Sequence, residues 1–121
     1  MTSVWLDDPE DHDYPAAEEY LSLHFEPSVA KKVASNLKKA KTQKRKAKDV
    51  LRASGLNLLP PSNRHVAHNV DKVKQGDKLS PILLVRNYPN LIVADGYHRL
   101  CAVYYLSEDL DVPCRIANLT E

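Results

Sequence analysis

Glycine is scarce in this chain: Gly55, Gly76 and Gly96 are the only three in 121 residues. A full glycine-rich phosphate loop, which needs several glycines at close spacing, is therefore absent. Cysteine is scarcer still. Cys101 and Cys114 fit no metal-ligand spacing, fall in apolar segments, and read as small buried hydrophobes rather than as a disulfide or a catalytic pair. No apolar run approaches the roughly 20 residues that cross a bilayer, so no membrane partner is expected. The first 27 residues contain no Lys or Arg, which excludes the basic start of a secretory signal, and a cytoplasmic protein is expected.

Charge is plentiful but segregated. Residues 1–27 carry eight acids, whereas residues 28–52 carry ten Lys and Arg against the single acid Asp49. Such asymmetry predicts either an anionic partner for the basic segment or docking of the acidic segment onto it. Lys38, Lys39, Lys41, Lys44, Arg45 and Lys46 are the candidate nucleic-acid contacts. No aromatic residue is interleaved among them, so they suit a phosphate backbone rather than stacked bases. The competing reading is a solvated helix face screened by the acidic segment.

Periodicity divides the chain further. Ala16 to Phe25 is a helix candidate. Pro27 and Ser28 start a second helix, with Val29, Val33, Leu37, Ala40, Ala47, Val50 and Leu51 at helical spacing and a stop at Gly55. Its apolar stripe is thin from Lys41 to Lys46, where a break would divide it. Leu56 to Leu59 is a short strand candidate closed by Pro60-Pro61. Asn63 to Gln75 reads as a helix, Ile82–Val85 and Leu91–Ala94 as a hairpin, Tyr97–Leu106 as a helix and Val112–Ala117 as a closing strand. The expected fold is α+β, a small mixed sheet with packed helices. Residues 1–55 form an acidic, then Lys-rich, helical extension packing on a domain of residues 56–121.

The chemistry concentrates at Ala94-Asp95-Gly96-Tyr97-His98-Arg99, where a strand turns into a helix. Such a junction offers an anion free backbone N–H groups, the positive end of a helix dipole, and the His98 and Arg99 side chains. Asp95 is either a helix cap or a carboxylate ligand for a Mg²⁺ that accompanies phosphates. His65 and His68 share a helix face but lack a third ligand, and read as solvated surface.

Leu79 to Val85, the hairpin, Ile92 to Ala102 with its Asp-Gly-x-His-Arg, and Val112-Pro113-Cys114-Arg115-Ile116 together resemble the ParB/sulfiredoxin superfamily. The resemblance covers about residues 56–118. It implies a domain that binds a nucleotide, ATP or CTP, with phosphates held at Asp95, Gly96, Tyr97, His98 and Arg99, and with Asn63, Arg64 and His65 bordering the nucleotide. It also implies action through a nucleic-acid or protein partner. Sulfiredoxins place a reactive Cys before the His-Arg, where this chain has Tyr97, so sulfiredoxin chemistry is not expected. Asp95 to Arg99 also resembles the free amino-acid kinase branch, which implies an ATP-dependent phosphotransferase or phosphohydrolase as the alternative. That branch relies on an acid near the first strand, and residues 58–63 contain none.

Overall fold

The computed structural model describes residues 4–119, so the outermost residues of both expected segments, 1–3 and 120–121, lie outside the described residues. The fold is α+β. Its elements are α1 (Asp13–Leu21), α2 (Pro27–Lys39), β1 (Gln43–Lys46), α3 (Ala47–Ser54), α4 (Arg64–Lys74), β2 (Ile82–Asn87), β3 (Asn90–Asp95), α5 (Tyr97–Leu106) and β4 (Asp111–Asn118). The strands form one mixed sheet in the order β1-β4-β2-β3. β4 pairs parallel with β2 and antiparallel with β1, and β2 pairs antiparallel with β3.

The unbroken apolar run Ile82-Leu83-Leu84-Val85 follows from this arrangement, because β2 is covered on both faces. On one face, Leu83, Val85, Ala94 and Ala117 pack against Ala17 and Leu21 of α1 and Ala30, Val33 and Leu37 of α2. On the other, Ile82, Leu84, Val93, Val112 and Cys114 pack against Ala47, Val50 and Leu51 of α3 and Leu100 and Val103 of α5. α4 lies outside α5, where Val66 meets Cys101 and Ala102.

Three expectations are corrected. The long second helix ends at Lys39, with Ala40 extended, and residues 43–46 form edge strand β1 rather than more helix. Six of the nine residues from Lys38 to Lys46 are basic. In a helix they would crowd like charges at i,i+3 and i,i+4, whereas a strand alternates them and gains a ladder with β4. Lys44, Arg45 and Lys46 therefore sit on a sheet edge and not on a helix face. Charge there also discourages pairing with a foreign strand.

Leu56–Leu59 is extended but joins no ladder. Two of its carbonyls are taken by α5: the Tyr97 hydroxyl donates to the Asn57 carbonyl and the Tyr105 hydroxyl to that of Leu59. The first helix starts three residues earlier than expected and ends at Leu21. Pro15 falls in its first turn, where its missing N–H costs no helical bond.

The acidic segment does dock on α2, but through apolar contacts. Among the described residues its carboxylates form no ion pair with Lys31–Arg52; Asp8 instead meets Arg115 of β4 at 3.1 Å. Arg115 also donates to the carbonyl of Lys38 at 2.7 Å and to the Thr42 hydroxyl at 3.1 Å, tying β4 to the α2–β1 link. Leu21 is fully buried at the α1–α2–sheet junction. Leu21→Ala should therefore cost about 2–5 kcal/mol, read as a lower urea midpoint with unchanged slope. A loss below 1 kcal/mol would mean that α1 is not integral to the core.

Candidate functional site

β3 ends at Asp95, Gly96 turns the chain with φ +107°, and α5 begins at Tyr97. Glycine is required at this turn twice over. The left-handed φ disfavours any side chain, and a Cβ would lie 2.9 Å from Arg99 Nη2 and 3.0 Å from Ile82 Cγ1.

Arg99 lies over Gly96 because its guanidinium turns inward. Nε donates to the Ser80 carbonyl at 2.9 Å, and Nη2 donates to the Pro81 carbonyl at 3.1 Å and to Asp95 Oδ2 at 2.9 Å. Both side chains of the Arg99–Asp95 pair are only 17% exposed. The arginine thus clamps the start of α5 to the entry of β2 and the exit of β3. Among the described residues, Nη1 is the guanidinium nitrogen that makes no hydrogen bond. Arg99 consequently positions the site more than it lines it.

Asp95 does not cap α5. Its carboxylate is taken by Arg99 and by Asp13, a residue of α1 that is itself buried. Burial holds the Asp95 carboxyl above the ordinary carboxylate range. The neighbouring Asp13 pushes in the same direction, against the opposing pull of Arg99. Asp13 also accepts from the Glu10 backbone N–H at 2.9 Å and lies 3.5 Å from His12 Nε2. A divalent cation at Asp95 would have to displace the guanidinium that holds its carboxylate at 2.9 Å, so the donors present do not fit Mg²⁺. Among the described residues, no group of three His, Cys, Asp or Glu side chains is placed to hold a metal.

The groups left free for a ligand lie beside this clamp. Among the described residues no side chain caps α5, which leaves its first-turn N–H groups to an outside acceptor. His98, the second residue of α5, stands with its ring centroid 4.7 Å from that of His65, the second residue of α4. The first turns of two helices therefore meet at a pair of imidazoles. Asn63 holds α4 in register by accepting from the N–H groups of His65 and Val66 through Oδ1, and Arg64 follows it. Asn63 is thus a helix cap, with its side-chain oxygen already engaged. Burial, His65 and then Arg99 all hold His98 below the ordinary imidazole range, so it is neutral in the free protein near pH 7.

The Tyr97 ring lies 5.7 Å from that of His98, and its hydroxyl is engaged in donating to the Asn57 carbonyl. Cys101 and Cys114 are buried, and burial pushes both thiols up, that of Cys114 to about 11, as suits core residues rather than nucleophiles. Asp13 was not legible in the sequence as a site residue, since only the docking of α1 brings it to Asp95. Ser80 and Pro81 contribute backbone carbonyls, which carry no side-chain signal. Compared with known proteins, the chain matches no family model, no curated protein and no solved structure.

Removing the clamp should be costly. Arg99→Ala leaves the buried Asp95 carboxyl and two carbonyls without their donor, and should lower stability by about 3–5 kcal/mol. Arg99→Lys should recover only part of this, because one ammonium cannot reproduce the fork. Chemical denaturation of both variants checks the ordering, and an Arg99→Ala protein as stable as the parent would contradict the clamp.

The pH dependence has two opposed parts. A depressed His98 contributes stability that is present above the ordinary imidazole value, about 6.5, and is lost as pH falls through its folded value. A raised Asp95 contributes stability that is present below the ordinary carboxylate range and is lost as pH rises through its folded value. An NMR titration should place His98 below about 6.5, and His65→Gln should move it back up. A midpoint at or above the ordinary value would refute the contact.

Proposed function

We propose that the α4–α5 junction binds the phosphates of a nucleotide, ATP or CTP, in a ParB/sulfiredoxin-like domain that acts with a nucleic-acid or protein partner. The observation that carries this reading is the His65–His98 pair at the uncapped start of α5. The Asp-Gly-x-His-Arg turn, the hairpin before it and the closing strand support it as a resemblance. Phosphate oxygens would accept from the α5 N–H groups and from both imidazoles, with Arg64 beside them and Arg99 Nη1 behind. The phosphate charge would favour imidazolium at His98 and oppose its depression. Binding should therefore tighten as pH falls through the imidazole range.

One observation favours a second reading, an ATP-dependent phosphotransferase or phosphohydrolase. Asp13 supplies, next to Asp95, the second carboxyl group that residues 58–63 lack. Two adjacent carboxyl groups are suited to acid–base work on an acceptor hydroxyl.

A thermal-shift screen of ATP, ADP, CTP and GTP, with and without Mg²⁺, tests the binding reading. A nucleotide at about 100 times its dissociation constant adds about 2.7 kcal/mol of stability. The shift should grow from about pH 8 to about pH 6 and vanish in His65→Ala/His98→Ala. A shift that survives the double variant would sink the site assignment. Nucleotide-dependent ADP release that is lost in Asp13→Asn would favour the enzyme, and binding without release the module.

A further inference from the structure

The sheet face that carries α3 is not covered along its whole length. Beyond α3 a groove of about 330 Å³ opens, lined by Val50 and Ala53 of α3, Leu84 of β2, Leu91 of β3 and Ile116 of β4. Tyr88, four-fifths exposed, stands at its rim on the β2–β3 turn. Ladder pairing puts the sheet residues on one face: Leu84 lies opposite Ile116, and Arg86 opposite Leu91. Arg45 reaches the same face from edge strand β1, opposite Val112.

The groove's charge is one-sided. Arg45 meets only Gln43, at 3.0 Å, and among the described residues neither Arg45 nor Arg86 forms an ion pair. Its one carboxylate, Asp49, is already paired with Arg52 at 2.9 Å. An apolar floor between two arginines that lack counter-charges is complementary to a molecule with an apolar body and one anionic head. The volume lies at the small end of ligand sites. It suits a ring system or a short acyl chain, and is too small for a folded partner.

We propose that this groove binds a small amphipathic organic anion, its body on Leu84, Leu91 and Ile116 and its head on Arg45 and Arg86. The site is formed by α3 and the sheet and shares no residue with the His65–His98 junction. It stands or falls independently of nucleotide binding.

The test is a fluorescence titration of the full chain with 8-anilinonaphthalene-1-sulfonate, a dye with an aromatic body and a sulfonate head. Saturable enhancement is expected, weakened about tenfold or more in Arg45→Gln/Arg86→Gln through loss of charge-assisted bonds. Ala53→Phe, at an exposed helix position, should fill the groove and abolish the enhancement, with circular dichroism confirming that both variants fold. Octanoate should displace the dye and octanol should not. Absence of enhancement, enhancement unchanged in both variants, or equal displacement by octanol would overturn the assignment.

Discussion

The guanidinium of Arg99 is the constraint on which the candidate site depends. It gathers the entry of β2, the exit of β3 and the first turn of α5 into one hydrogen-bonded knot, and through Asp95 it reaches Asp13 on α1. A planar donor with a fixed fork can satisfy two carbonyls and a carboxylate together. It can do so only if nothing stands between it and the turn, which is why residue 96 has no side chain. The Asp-Gly-x-x-Arg pattern is therefore first a device for setting the angle between strand and helix. Only the residues it leaves unengaged are available for recognition.

That division separates rigid from adjustable groups. Arg99 and Asp95 are sequestered and mutually neutralised, so they hold geometry at little electrostatic cost to what lies outside. His98 and His65 lie outside that pair and face each other across the first turns of α5 and α4. An anion arriving at the α5 N-terminus would meet a His98 that burial holds below the ordinary imidazole range and that the anion's charge would push back up.

Much of this was legible in the sequence. The hairpin, the helix beginning at Tyr97 and the closing strand follow from periodicity and from the Pro, Asn and Gly residues between them. The basic run from Lys38 to Lys46 was harder. Its local pattern continues a weak helix, and only β4, nearly 70 residues away in sequence, turns it into an edge strand. Leu56–Leu59 has the composition of a strand, but two tyrosine hydroxyls of α5 take its carbonyls first. The inward turn of Arg99 was hidden for a different reason. Its acceptors include two backbone carbonyls, and nothing in residue identity marks a carbonyl that awaits a donor.

The place of β4 in the sheet has a consequence for how the molecule comes into being. It is the fourth strand in sequence, yet it lies between the first and the second and bonds to both. Until it arrives, β1 has no neighbour in the sheet and the β2–β3 hairpin is open on both sides. A nascent chain emerging from N to C can form its helices and the hairpin, but it cannot join the basic edge to the rest. The pairing of Gln43 with Cys114 closes a very long loop, so sheet completion is a late, non-local and slow event. During that interval the part of each sheet face that β4 supplies is missing, Ala117 toward α2 and Val112 and Cys114 toward α3. The lysines between α2 and α3 then serve the unfinished chain, keeping an unpaired strand in water until its partner has been made.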